Sequence, residues 1–189
     1  RYKFMNWLQT QAQQNPQKLF IQDGCRSFTF MDVEGMAQIY SQSLIREGIQ
    51  PQDRIIIHLP CGIEMAEIIL ACFEIGAIAT PIPRRLTDIE KREVISIIRP
   101  RLIITNWNDQ EQYSDIFSTL ICIEELPNSS GKCSLLNNKY QQSPNDVSAI
   151  IFTSGTTGIP KAVQLTYSNF ETSCNNWNGF LDLPFHRLG

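Results

Sequence analysis

Apolar residues in this chain follow two kinds of pattern, short continuous runs and longer stretches with helical spacing. The run Arg54–Leu59 lies between Pro51 and Pro60, and such a run is typical of a strand covered on both faces, as in a parallel sheet. Elsewhere apolar residues recur at every third or fourth position, which is typical of amphipathic helices. We predict strands at residues 19–21, 27–28, 54–59, 77–82, 101–105, 120–123, 147–153 and 163–165, and helices at residues 4–14, 29–48, 64–75, 87–98 and 167–181.

Residues at the predicted helix ends support these boundaries. Thr29 is followed three residues later by Asp32, a spacing that predicts an N-terminal cap. Gly48 and Gly76 follow predicted helices, and glycine commonly ends a helix. Strands that alternate with helices predict an α/β layered fold, a mostly parallel sheet flanked by helices.

Residues 127–145 interrupt this alternation. They are rich in Asn, Ser, Gln, Gly and Lys and have no hydrophobic period. We interpret them as a surface connection, disordered in part.

Composition places the 189 residues, 42% hydrophobic and 19% charged, among ordinary globular proteins with one core, or one core and a fragment of a second. The net charge of −3 and the lack of a basic stripe give no reason to expect a nucleic-acid partner.

The first residues lack the apolar run of a signal peptide. The most apolar stretch, residues 63–83, contains Glu64, Glu67 and Glu74, which are too costly in a membrane span. We therefore expect a soluble, cytoplasmic protein.

The six cysteines form no C-x-x-C pair, and only two histidines are present. We expect buried or half-buried free thiols in a reducing compartment, with neither a disulfide framework nor a protein-bound metal site.

The segment from Thr153 to Lys161, TSGTTGIPK, carries the most specific chemistry in the chain. A predicted strand leads into small residues, and a lysine ends the segment. Its glycines permit backbone N–H groups to converge on an anion, its hydroxyls add donors without bulk, and Lys161 adds a charge. The pattern therefore predicts a polyphosphate-binding loop, formed by Thr153, Ser154, Gly155, Thr156, Thr157, Gly158 and Lys161.

Two alternatives to this interpretation exist. The Walker A loop of nucleotide triphosphatases is disfavoured, because Pro160 stands in place of its second glycine and Ala162 in place of its magnesium-binding hydroxyl. A Gly/Thr-rich turn without a ligand is the other alternative, and the combination of strand, hydroxyls and lysine argues against it.

The nine residues TSGTTGIPK resemble the phosphate-loop signature of the adenylate-forming superfamily, which includes acyl- and aryl-CoA ligases, luciferases and peptide-synthetase adenylation domains. Further segments are similar to that superfamily: Phe28–Phe30 with Asp32 and Glu34, Asp53–Pro60, Ile75–Ile82 and Asp146–Gly155. The resemblance therefore covers nearly the whole chain. It implies that residues 1–189 are the N-terminal part of the large AMP-binding domain, without the rest of that domain or the C-terminal domain.

The resemblance also implies the reaction. A carboxylic acid attacks ATP to give an acyl-adenylate, and coenzyme A then takes the acyl group; Mg²⁺ accompanies the phosphates and has no protein ligand here. The residues at 153–158 grip the phosphates, and Lys161 stabilises the leaving pyrophosphate. We expect the 189 residues alone to be inactive.

The acid substrate is less clear from the sequence. Thr166-Tyr167-Ser168-Asn169 with Ser173 resembles the 2-succinylbenzoate–CoA ligases of menaquinone or phylloquinone synthesis. Other acyl- or aryl-CoA ligases and amino-acid adenylation domains remain alternatives. So does a protein of another class, a non-catalytic module that binds a nucleotide or a protein.

Several residues that resemble site residues are given structural interpretations instead. His186, in Leu183-Pro184-Phe185-His186, is interpreted as part of a surface turn. His58 is interpreted as a satisfied histidine of the core or a strand end. Trp7, Trp107 and Trp177 are interpreted as packing residues.

Overall fold

The computed structural model describes residues 6–117, 119–126, 140–153 and 161–181. Its strands are β1 (Leu19–Asp23), β2 (Arg26–Thr29), β3 (Arg54–Ile57), β4 (Ile78–Pro81), β5 (Leu102–Thr105), β6 (Leu120–Cys122), β7 (Val147–Thr153) and β8 (Lys161–Thr166). Its α-helices are α1 (Asn6–Gln14), α2 (Phe30–Arg46), α3 (Ile63–Ile75), α4 (Asp88–Ile98) and α5 (Tyr167–Leu181). Short 3₁₀ turns cover Gln110–Tyr113 and Ile123–Glu125.

Six of the strands form the central sheet, in the order β6-β5-β3-β4-β7-β8. All neighbours are parallel except β7 and β8, which are antiparallel. Strands β1 and β2 form a separate antiparallel hairpin. The predicted α/β fold with a mostly parallel sheet flanked by helices is confirmed.

Strand β3 lies in the middle of the sheet because its side chains are buried on both faces. Ile55 and Ile57 belong to the hydrophobic cluster that α2 and α3 complete, and Ile56 belongs to the cluster on the other face, which α4 covers. All three are fully buried. The continuous apolar run at Arg54–Leu59 therefore contains a strand that is covered on both faces, as predicted.

Local signals fix the helix ends as predicted. Thr29 and Asp32 form a reciprocal capping box at the start of α2, with the Thr29 N–H donating to Asp32 Oδ2 at 2.8 Å. Helix α3 ends at Gly76, whose φ of +75° favours glycine. A Cβ at Gly76 would overlap the ring of Tyr140.

Within the predicted surface connection at residues 127–145, the described part is held to the core by side-chain hydrogen bonds. Residues 127–139 lie outside the described residues, but Tyr140 is half-buried and its hydroxyl donates to Asp146 Oδ2 at 2.9 Å. Gln142 Nε2 donates to the carbonyl of Phe73 at the end of α3. Polar side chains that bind backbone groups anchor this stretch without any hydrophobic period, so the pattern did not reveal it.

The tryptophans differ in their surroundings. Trp7 packs against Phe20 and Phe30, with ring centroids 5.7 and 6.3 Å away. Trp107 is 56% exposed, so its interpretation as a packing residue is wrong; it follows the end of β5, where the chain leaves the core. The side chain of Trp177 and the segment around His186 lie outside the described residues.

Cysteines are more exposed than expected. Cys72 and Cys122 are buried, whereas Cys25, Cys61 and Cys174 are exposed, and all five are free thiols; Cys133 lies outside the described residues. Among the described helices, none is long and apolar enough for a membrane span.

Candidate functional site

The two ends of the predicted phosphate loop meet at one edge of the sheet. Thr153 is the last residue of β7 and Lys161 is the first residue of β8, and the two are paired in the antiparallel ladder. The Thr153 hydroxyl donates to the carbonyl of Lys161 at 3.4 Å. The predicted site residues Ser154, Gly155, Thr156, Thr157 and Gly158 lie in the connecting segment 154–160, outside the described residues.

This edge is the one at which ligands bind in sheets of this kind. Strand β7 runs parallel to β3, β4 and β5, so Thr153 lies at their carboxyl edge. Thr153 and Lys161 are both exposed there. Open α/β sheets bind ligands outside the carboxyl ends of their strands, and the structure therefore places the predicted cation on the expected side.

The connections after β3 and β4 leave the sheet on opposite faces. Helix α3, which follows β3, packs in the cluster shared with α2, whereas α4, which follows β4, packs on the opposite face. Such a reversal produces a crevice between the two strand ends. Strand β4 is also the neighbour of β7, with Ala79 paired to Ala149, so this position lies beside the strand that leads into the predicted phosphate loop.

Arg84, in the loop after β4, contacts residues that follow β3 and β5 at this edge of the sheet. Its guanidinium Nη2 lies 2.8 Å from Asp109 Oδ2, in the segment after β5. Its carbonyl lies 3.3 Å from Nε2 of His58, the residue after β3. Sequence reasoning missed this arrangement, although the pair Arg84-Arg85 shortly after a predicted strand was an available signal.

His58 is only partly satisfied, contrary to its interpretation. Because a carbonyl only accepts, Nε2 carries the proton that is donated to Arg84. His58 is fully buried, and burial lowers the pKa of its imidazole, opposed by the hydrogen bond to the Arg84 carbonyl and by the charge of Asp109. Its Nδ1 has no hydrogen-bond partner among the described residues.

The Thr166–Asn169 segment, which resembled a substrate-specific pattern, has a local structural role. The Thr166 N–H donates to Asn169 Oδ1 at 2.9 Å, and the Asn169 N–H donates to Thr166 Oγ1 at 3.3 Å. These two contacts cap the start of α5. Tyr167 is fully buried, and its hydroxyl donates to the carbonyl of Phe73 at 3.2 Å.

The donors at the edge suit a phosphate better than a protein-bound metal ion. Thr153 offers a hydroxyl and Lys161 an ammonium group, and both are exposed. In the part of the chain that the structure describes, no three His, Cys, Asp or Glu residues lie close enough together to hold a metal ion.

Comparison with known proteins gives a consistent result. Residues 8–186 match the family described as "AMP-binding enzyme". The 2-succinylbenzoate–CoA ligase of Oceanobacillus iheyensis is 31% identical over 96% of this chain, which corresponds to 37% of that enzyme. The 4-coumarate–CoA ligase 2 of Nicotiana tabacum is 30% identical over 77% of this chain and 29% of its own length.

Among solved structures, the o-succinylbenzoate coenzyme A synthetase of Bacillus subtilis in complex with ATP and magnesium has a TM-score of 0.82. The match covers 94% of this chain and 47% of that chain, at 23% identity. At this identity the likeness concerns the fold. The chain thus spans between 29% and 47% of the length of these proteins.

Proposed function

The chain belongs to the AMP-binding enzyme family, and we propose that it supplies the phosphate-binding part of an ATP-dependent, AMP-forming acid–CoA ligase. The observation that carries this proposal is the pairing of Thr153 with Lys161 at the carboxyl edge of the sheet. The pairing holds a lysine at one end of a segment that contains two glycines and three hydroxyl-bearing residues. Residues 1–189 would form the N-terminal part of the large AMP-binding domain.

The reaction has an electrostatic difficulty that these residues address. A substrate carboxylate oxygen forms a bond to the α-phosphorus of ATP, and the bond from that phosphorus to the oxygen bridging to the β-phosphate breaks. Negative charge then accumulates on the departing pyrophosphate. Fixed donors placed where this charge develops stabilise the transition state more than the ground state.

Each residue of the proposed site has a role in that stabilisation. The ammonium group of Lys161 would bind the departing pyrophosphate, and Thr153, Ser154, Thr156 and Thr157 would donate hydroxyl or backbone hydrogen bonds to the phosphates. Gly155 and Gly158 would let the backbone approach closely. Mg²⁺, which ATP brings with it, would share the charge of the phosphates. Coenzyme A would accept the acyl group from the adenylate in the second step.

We propose 2-succinylbenzoate as the acid, within menaquinone or phylloquinone biosynthesis, and the cytoplasm as the location. The support is the 31% identity with the Oceanobacillus iheyensis ligase along most of the chain. The 4-coumarate ligase of Nicotiana tabacum, at 30%, makes another aryl-CoA ligase the second candidate. The Thr166–Asn169 segment adds little to this choice, because its contacts are those of a helix cap.

The direct test measures exchange of labelled pyrophosphate into ATP by the protein at its natural length. A panel of carboxylic acids, including 2-succinylbenzoate and 4-coumarate, ranks the substrates in the same assay. We expect exchange that depends on an acid, and the largest rate with 2-succinylbenzoate. Hydrolysis of ATP to ADP would overturn the reaction class, whereas a different preferred acid would overturn only the substrate.

The 189 residues alone would bind ATP without completing the reaction. Their isolated form should therefore show no acid-dependent release of pyrophosphate. Detectable release by the purified 189-residue chain would contradict this part of the proposal.

A further inference from the structure

Four polar side chains lie among the hydrophobic residues beneath α4, on the same face as the buried Thr105. They are His58, Thr80, Lys91 and Tyr113, and we call them the buried polar cluster. His58, Thr80 and Tyr113 are fully buried, and Lys91 is 3% exposed. Their surroundings are apolar, since Ile56, Ile78, Val94 and Ile103 form the same layer.

The strand register places these side chains on one face of the sheet. Thr80 pairs in register with Ile56, and His58 follows Ile56 by two residues, with its N–H still in the ladder to Ile104 at 2.8 Å. Diagonal neighbours in a sheet lie about 7 Å apart. The ring of Tyr113 meets the ring of His58 at 5.4 Å in an edge-to-face arrangement, and Lys91 Nζ lies 5.7 Å from the centre of the Tyr113 ring.

Three atoms of the cluster have no hydrogen-bond partner among the described residues: His58 Nδ1, Thr80 Oγ1 and the Tyr113 hydroxyl. Buried polar side-chain atoms nearly always have a partner, either in the protein or in ordered water. Each unsatisfied hydroxyl or ring nitrogen lowers the free energy of unfolding. Three such atoms on one face of one sheet therefore point to a shared ligand.

The protonation of His58 determines the chemistry of that ligand. Its Nε2 carries the proton donated to the Arg84 carbonyl, so in the neutral ring Nδ1 is an acceptor and requires a donor. Thr80 and Tyr113 each offer one donor and additional acceptor sites. The ligand must therefore both donate and accept.

Ions fit this requirement poorly. A fully deprotonated anion has no proton to donate to Nδ1, and burying the charge of a protonated anion among apolar side chains is costly. A cation would lie near the ammonium group of Lys91 and the guanidinium of Arg84, and the Asp109 carboxylate, which also acts on His58, is already paired with Arg84.

We propose that the buried polar cluster is a binding site for water, one molecule or a short chain, held by His58 Nδ1, Thr80 Oγ1 and the Tyr113 hydroxyl. Buried water in proteins makes about three hydrogen bonds, the number that these atoms offer. The bound water donates to Nδ1, which matches the tautomer that the Arg84 carbonyl selects, and His58 in turn holds that carbonyl at the edge of the sheet. The site is separate from the phosphate loop and does not depend on the proposed reaction.

The sign of a stability change tests this proposal. Tyr113→Phe and Thr80→Val each remove one hydroxyl and keep the shape of the side chain, and the phenylalanine keeps the ring beside His58 and Lys91. If water bridges these atoms, each variant breaks a satisfied network and lowers the Tm by about 2–4 °C. If the hydroxyls are buried without a partner, each variant removes an unsatisfied group and raises the Tm.

Thr105→Val is the matched control. The Thr105 hydroxyl is buried on the same face but already donates to the carbonyl of His58 at 3.2 Å, so its loss should lower the Tm whether or not water is bound. An unchanged or higher Tm for Tyr113→Phe or Thr80→Val, beside a lowered Tm for Thr105→Val, would overturn the shared site.

A crystal structure of the protein at high resolution provides the second measurement. We expect a water oxygen within about 2.7–3.2 Å of at least two of the three atoms. A side chain from residues 154–160 or from elsewhere in the chain, found in contact with Nδ1 in place of water, would also overturn the proposal.

Discussion

Arg84 Nη2 lies 2.8 Å from Asp109 Oδ2, and this contact joins the loops after β4 and β5 across the end of β3. The Asp109 side chain is 10% exposed and the Arg84 side chain 48% exposed. Asp109 also accepts a hydrogen bond from Gln112 Nε2 at 2.8 Å. The buried carboxylate of Asp109 therefore accepts from both donors, whereas the side chain of Arg84 is partly solvated.

Asp109 should consequently be the more sensitive of the two positions. Asp109→Ala leaves both donors without a partner and should lower the free energy of unfolding by about 1–3 kcal/mol. Arg84→Gln removes a half-exposed ion pair, which is worth at most about 1 kcal/mol. Urea denaturation of the two variants measures the difference. Equal losses would show that the acid has no role beyond the ion pair.

Gly76 is predicted to tolerate no side chain. Gly76→Ala forces a Cβ into a backbone conformation with φ of +75° and into the ring of Tyr140. The backbone strain alone costs roughly 1–2 kcal/mol, and the overlap adds to it. Gly35→Ala is the control, because Gly35 lies inside α2 with nothing within 4 Å of an added Cβ. Thermal unfolding should show a lower Tm for Gly76→Ala and an unchanged or higher one for Gly35→Ala.

Glu67 should make the stability of the protein depend on pH. It is 4% exposed on α3, and burial raises its pKa to about 7, helped by the charge of Glu64 and opposed by that of Arg26. The folded state therefore holds a proton that the unfolded state releases at lower pH. The free energy of unfolding is highest below the unfolded value near 4.5, falls as the pH rises from there to about 7, and is flat above.

Glu67→Gln removes this dependence. The variant should be more stable than the parent at pH 8, by on the order of 2 kcal/mol, and nearly equal to it at pH 4.5. Urea denaturation at intervals between these values provides the measurement, and Glu93→Gln on the exposed face of α4 serves as the control. A parent protein whose stability rises over this interval while Glu67→Gln stays flat would contradict the prediction.

Lys161→Ala should reduce the proposed reaction strongly. Loss of one donor to a developing negative charge typically lowers the rate by about 10²–10³-fold, and pyrophosphate exchange by the protein at its natural length measures this effect. Gln164→Ala is the matched control, since Gln164 is exposed on the same strand and pairs with Ile150. Equal exchange by Lys161→Ala and the parent would remove the lysine from the site.

Thr166→Ala should affect stability and leave the choice of acid unchanged. Its hydroxyl caps α5 through the Asn169 N–H, and loss of such a cap costs about 1 kcal/mol. The ranking of acids in the exchange assay should stay the same. An altered ranking in a variant whose stability is preserved would instead give this segment a role in substrate choice.

The fold could be predicted from the sequence because its elements are locally encoded. The run at Arg54–Leu59 is apolar on both faces, and Thr29 with Asp32 fixes the start of α2. The strand order could not be predicted this way, because it depends on which buried faces meet across long stretches of chain. Nothing in the sequence near β3 indicates that β4 and β5 lie on its two sides.

The candidate site could be predicted only in part, for a similar reason. Thr153 and Lys161 lie in one continuous motif, so the local sequence alone indicates them, and in the structure they pair at the carboxyl edge. The arrangement of His58, Arg84 and Asp109 joins three loops that are distant in sequence. The exposure of Trp107 likewise depends on where β5 ends relative to the core.

The neighbours of β7 also bear on how the protein folds. Strands β3, β4 and β5 follow one another closely, with one helix between each pair, whereas Ala149 finds its partner Ala79 only across α4, β5 and β6. Contacts between distant parts of a chain form slowly, because closing the intervening loop costs entropy before any contact is gained. We expect the β7–β8 hairpin to dock onto a preformed core, so that the sheet edge with Thr153 and Lys161 is completed in the last step of folding.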